Sequence, residues 1–182
     1  MSTLELKELS HPAGEVIKIA AGKTLDLNSQ GSTILPTGSV LQVIHGSSAT
    51  GVASSTLNTF VGSGCTATIT PKFSNSKILV IGNLSINLQL TTSATDSQAN
   101  TGIKRGSTII SGLIGYDELR NYINLTSTSK ALAIRVPLNF LDSPSTTSAT
   151  TYELLGSLRI GTQIYMQMNA QPSTITLMEV AG

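Results

Sequence analysis

Residues 77–90 read Lys77-Ile78-Leu79-Val80-Ile81-Gly82-Asn83-Leu84-Ser85-Ile86-Asn87-Leu88-Gln89-Leu90. Side chains alternate across an extended chain, so Ile78, Val80, Gly82, Leu84, Ile86, Leu88 and Leu90 share one side. The other side starts apolar at Leu79 and Ile81, then turns polar at Asn83, Ser85, Asn87 and Gln89. A run of this length at period two predicts a long strand with one buried face. Its first residues, 77–81, carry aliphatic side chains on both faces, which is more apolar surface than one partner sheet covers.

The same alternation recurs in shorter pieces. It predicts strands at 40–45, 57–61, 66–70, 102–110, 120–126, 131–141, 152–160, 163–168 and 173–180. Within 131–141, Leu132, Ile134, Val136, Leu138 and Phe140 share a face. Gly106 marks a turn or bulge, and 111–119 leaves a short helical turn open. Ser- and Thr-rich stretches at 47–55, 91–101 and 142–150 read as loops. No segment holds a 3.6-residue apolar period between cap signals, so no long helix is expected. These strands, divided by Gly, Pro, Ser and Thr turns, predict an all-β sandwich or jelly roll.

The first 38 residues differ. Their alternating runs, 16–19 and 24–27, are too short to make a sheet without partners. They read as an attachment or stalk segment, with the β-sandwich domain spanning 39–182.

Composition narrows the function. Ser and Thr fill 48 of 182 positions, against 21 for Lys, Arg, Asp and Glu together. Neutral hydroxyls beside Leu, Ile and Val suit half-buried pleated surfaces and leave little equipment for acid–base chemistry. Net charge is +1 and no basic stripe is present, so nucleic acid is not an expected partner. No apolar run is long enough to span a bilayer, and the polar, acidic N-terminus is no secretory signal. The single cysteine, Cys65, excludes an intrachain disulfide framework and has no neighbouring base to activate it.

The remaining motifs read as structural. Ala20-Ala21-Gly22-Lys23-Thr24 looks like the tail of a phosphate loop, but Ile17 stands where the motif needs Gly, and a turn fits better. His11 and His45 lack metal-ligand spacing. Asp117-Glu118 is the one adjacent carboxylate pair, with no ligands or partner acid nearby. Lys104-Arg105 reads as an exposed strand end, and Met166 and Met168 as core or interface filler. Asn83-Leu84-Ser85 and Asn124-Leu125-Thr126 match the glycosylation pattern by chance.

Several segments in order resemble a family of virion fibre-like structural proteins of marine and cyanobacterial phages. They are Leu35-Pro36-Thr37-Gly38-Ser39-Val40-Leu41-Gln42-Val43, Thr66-Ala67-Thr68-Ile69-Thr70-Pro71 and Ser74-Asn75-Ser76-Lys77-Ile78-Leu79-Val80. Phe140-Leu141-Asp142-Ser143-Pro144, Ser148-Ala149-Thr150-Thr151-Tyr152 and Ser173-Thr174-Ile175-Thr176-Leu177-Met178-Glu179-Val180 complete the set. The resemblance spans about residues 35–182. It implies a homotrimeric jelly-roll head, similar to the tumour-necrosis-factor and complement heads, behind an attachment segment.

The expectation is a non-enzymatic virion protein, made in the host cytoplasm, with no cofactor, no metal and no membrane insertion. It would be a bacteriophage tail fibre or short fibre-like appendage. Residues 1–38 would contact other virion proteins, and the head would serve host attachment, with a cell-surface glycan as candidate partner. A capsid decoration or head-fibre protein and a glycan-binding module outside any virion are the alternatives. Candidate trimer-interface residues are Ile78, Val80, Leu84, Ile134, Val136 and Tyr165. Candidate surface contacts are Thr92, Thr95, Asp96, Ser143 and Thr146.

Overall fold

The computed structural model describes residues 21–22, 36–90, 96–112, 119–122 and 130–182. The chain divides into two compact units, residues 1–35 and 36–182. In the first, Ala21 and Gly22 form a turn, with Gly22 at φ 74°. The expected strands at 16–19 and 24–27 lie outside the described residues.

The second unit is built of strands. They are β1 (Val40–Ser48), β2 (Val52–Ser54), β3 (Val61–Ile69), β4 (Lys77–Leu90), β5 (Asp96–Arg105) and β6 (Thr108–Ser111). β7 (Leu119–Tyr122), β8 (Lys130–Asp142), β9 (Thr150–Ile160), β10 (Gln163–Met166) and β11 (Ser173–Val180) follow. The one helical turn among the described residues is Met168–Ala170. All ladders between these strands are antiparallel.

β4 is the spine of a six-stranded sheet. Its first half pairs β11 and its second half β10, while β8 runs along its other side from Ile78 to Leu90. β1 extends the sheet beyond β11, and β2 extends it beyond β10. The second sheet runs β3-β9-β5, with β6 and β7 sharing the far edge of β5. The orders β1-β11-β4-β8 and β3-β9-β5-β6 make the long strands alternate between sheets, which is jelly-roll connectivity.

The register explains the core. Ile44, Leu177, Val80 and Phe140 align across the six-stranded sheet, and Gly46, Ile175, Gly82 and Leu138 form the next row. Ile78, Val80, Leu84, Leu88 and Leu90 have no exposed area, as the alternation predicts. From the other sheet, Ala99, Ile103, Leu154 and Leu158 complete the same cluster.

Among the described residues β8 is an edge strand, carrying Pro137 opposite Asn83. Proline has no N–H to donate, so it is tolerated where that position faces away from the neighbouring strand.

Four expectations are corrected. Residues 47–55, read as loop, hold the end of β1 and all of β2. Residues 57–60 form no strand: Leu57 makes one isolated bridge to Leu158, and Asn58 turns the chain at φ 53°. β3 starts at Val61 and carries a register shift between Gly62 and Thr66. Residues 96–101, read as loop, belong to β5, where Ser97, Gln98, Asn100 and Thr101 are buried. The expected strand 102–110 is a hairpin, β5 and β6, turning at Gly106. The open reading at 111–119 lies mostly outside the described residues.

Gly46 on β1 packs closely against β3 of the other sheet. A Cβ there would sit 2.0 Å from the Thr66 carbonyl oxygen. Gly46→Ala should therefore lower stability by about 3 kcal/mol through forced backbone displacement. Gly51→Ala, whose Cβ would meet nothing nearer than 3.6 Å, should change it by less than about 0.5 kcal/mol. Denaturant midpoints of the two variants check this.

Candidate interaction surface

The outward face of the six-stranded sheet follows from the same register. Val43, Met178, Leu79 and Leu141 stand directly opposite one another across β1, β11, β4 and β8. Val40 and Val180 pair beside this row, and Ile81 lies between Thr176 and Asn139 on its other side. Val40, Val43, Ile81 and Leu141 are 53%, 51%, 39% and 52% exposed. Along the strands the face then becomes polar, through His45 and Thr176 (3.1 Å apart), then Ser47, Thr174 and Asn83. The two carboxylates on these four strands, Glu179 and Asp142, point inward and are buried.

Those carboxylates occupy the end row of the inner face, Gln42-Glu179-Ile78-Asp142. Asp142 joins the two sheets. It accepts hydrogen bonds from Arg105 Nη1 at 2.9 and 2.8 Å and from the Tyr152 hydroxyl at 2.7 Å. Burial, followed by the adjoining carboxylate, pushes the Tyr152 hydroxyl well above its ordinary pKa. Glu179 accepts from the Gln42 amide and, at 2.7 Å, from the Lys72 N–H. Burial alone would raise its pKa. The bonds from Gln42 and from the N–H groups of Lys72 and Phe73 outweigh that and hold it below the usual carboxylate range.

On the other sheet, Glu153 accepts from Gly64 N–H at 2.9 Å and pairs with Lys104 at 2.6 Å. Lys104 and Arg105, read as an exposed strand end, are thus both ion-paired. Cys65 is buried, and burial pushes its thiol up to about 11. A thiol held protonated in this way is a poor nucleophile. Among the described residues, no three His, Cys, Asp or Glu side chains are grouped to hold a metal ion.

The expected interface residues separate into different environments. Ile78, Val80 and Leu84 have no exposed area, and Val136 is 8% exposed. A side chain buried within one chain has no area left for another, so these four are corrected from interface to core. Ile134 shares their inward face but keeps 38% exposure, because β8 is an edge. Tyr165 is half-buried in β10, opposite Asn87 and Ala53 on the outward side. Missed were Val40, Val43, Met178 and Leu141. They lie on three strands, β1, β8 and β11, and only the register brings them beside Leu79 and Ile81.

The expected surface contacts also part company. Thr92 and Thr95 lie outside the described residues, as do Asp117 and Glu118. Asp96 is engaged by both Arg120 and Gln98. Ser143 is exposed and Thr146 half-buried, in the link from β8 to β9. That link stands at the end of the sandwich where the chain enters. There Gly38 N–H donates to Ala181 at 2.8 Å, and Ala181 N–H donates to Ser39 at 2.9 Å. The opposite end carries residues 55–59, with Leu57 exposed, and the turn at Gly161 and Thr162.

No protein-family model and no curated protein matches the chain. Among solved structures, it is similar to a chain of the T13 particle of infectious bursal disease virus. The identity there is 13% and the TM-score 0.39, covering 88% of this chain and 40% of that one. It is also similar to a D431N mutant VP2 protein of the same virus, from derived T=1 particles. In that case the identity is 14% and the TM-score 0.37, covering 87% and 41%. The chain therefore spans about two fifths of the length of either.

Glu179 makes stability depend on pH with a definite sign. A carboxylate whose pKa is lowered on folding stabilises the fold above its unfolded value, about 4.3. That contribution is lost as pH falls through the lowered folded value. The wild type should lose denaturant resistance as pH drops below about 4. Glu179→Gln should be weaker at neutral pH and lose less on acidification. Equal slopes for the two proteins would show that Glu179 does not carry this dependence.

Proposed function

We propose that this protein is a non-enzymatic virion structural protein, a homotrimeric short tail-fibre-like appendage anchored through residues 1–38. One observation carries the reading: an apolar row across four strands is turned to solvent in the single chain. Two further features support it. Jelly-roll connectivity recurs in viral capsid and lectin domains, and the ordered motifs over 35–182 resemble phage fibre-like proteins. The neutral, hydroxyl-rich composition suits a particle protein that acts through many copies.

Host contact in this reading falls to the exposed loops at the ends of the head, residues 55–59 and 143–149. Ser55, Thr56, Asn58 and Thr59 offer hydroxyl and amide groups that bind glycans weakly, and copy number multiplies weak binding.

The purified protein is expected to sediment with the mass of three chains. Antibody or gold labelling of intact particles should place it on the tail. Copies at three-fold positions of the capsid shell would overturn the tail assignment in favour of a decoration protein. A monomer at every concentration would overturn the trimer.

A further inference from the structure

We propose that copies of this chain meet through the outward face of the six-stranded sheet, centred on Val43, Leu79, Ile81, Leu141 and Met178. The inference rests on the oligomeric reading above and assigns its contact surface. The interface expected from the sequence used the inward face of β4, which one chain already buries.

Area is the first argument. Four aliphatic side chains near half exposure, with partly buried Leu79, Met178 and Val180 between them, leave a few hundred Å² of contiguous apolar surface. That is the upper range tolerated by monomers. A standard interface hides about 800 Å² per partner, a little over half of it apolar. The patch supplies most of that apolar share.

Charge is the second argument, and it selects a second copy over an acidic or basic partner. No carboxylate points outward on β1, β4, β8 or β11. At outward-facing positions of these strands stand the cations Lys77, opposite Val180 at the rim of the patch, and Arg135, opposite Ser85 and beyond it. Eight residues of β4 separate those positions, roughly 26 Å at strand rise. The centre is uncharged, so two copies meet there without opposing like charges. An oppositely charged partner would have nothing to pair with at the centre.

Geometry is the third argument. Among the described residues the free edges of this sheet are β1, β2 and β8, and β8, the longest, carries Pro137 and cannot donate a continuous ladder to another chain. Contact through the face needs no backbone pairing.

Sedimentation equilibrium of Val43→Asp, Ile81→Asp and Leu141→Asp tests the assignment, with Leu57→Asp, Ile109→Asp and Ile160→Asp as exposed apolar comparators elsewhere. The face variants should weaken association on the order of a hundredfold or more, and the comparators should not. Circular dichroism checks that each variant is folded. Leu141→Cys gives an independent reading, since the native Cys65 is buried. Its thiol should be protected in the oligomer and labelled on dilution, whereas that of Ile109→Cys should be labelled throughout.

An oligomer unmoved by the face substitutions, with Leu141→Cys labelled throughout, overturns this surface and leaves the trimer standing. A dimer dissolved by those substitutions supports the surface and overturns the trimer. A wild type that is monomeric at all concentrations overturns both.

Discussion

The antiparallel pairing of β4 is the constraint on which the rest depends. Strands β8, β10 and β11 all bond directly to it, and β1 and β2 are held through β11 and β10. Because its register with each neighbour is fixed, one alternation decides both faces of the sheet. A slip of one residue would turn Ile78, Val80 and Leu84 to solvent and bring Asn83, Ser85 and Asn87 inward. Burying the first set against β5 and β9 therefore fixes which residues form the outward patch.

The end row of the core shows how the sandwich is closed where hydrophobic packing stops. Ile78 has a buried carboxylate on each side. Glu179 ties the β3–β4 link to β11 through N–H donors. Asp142 reaches across to Arg105 and Tyr152 on the other sheet. Removing one partner from such a set leaves an unmatched polar group, which costs more than the intact bond contributes. The closure ties the β3–β4 link, β11 and the second sheet together at this end.

Much of this was legible in the sequence, and the failures have physical causes. β4, β8 and β11 alternate strongly because each has one face against a hydrocarbon core. β5 was missed at residues 96–101, where Ser97, Gln98, Asn100 and Thr101 are buried polar residues that imitate a loop in composition. Residues 57–60 have strand composition, yet Asn58 turns the chain. The apolar surplus at 77–81 was visible, but periodicity separates two faces without saying which meets the second sheet. Val43, Met178 and Leu141 carried no local signal, since their adjacency exists only after four strands far apart in sequence are in register.

Pro137 has a consequence for how many copies can gather in one place. A sheet extended edge to edge has no natural limit, because each added strand exposes a fresh edge. A patch on a face is consumed by its own contact, and a closed ring of such contacts stops growing. A proline in the middle of β8 closes that edge to such growth, so the contact proposed for the neighbouring apolar face can stop at a finite number of copies.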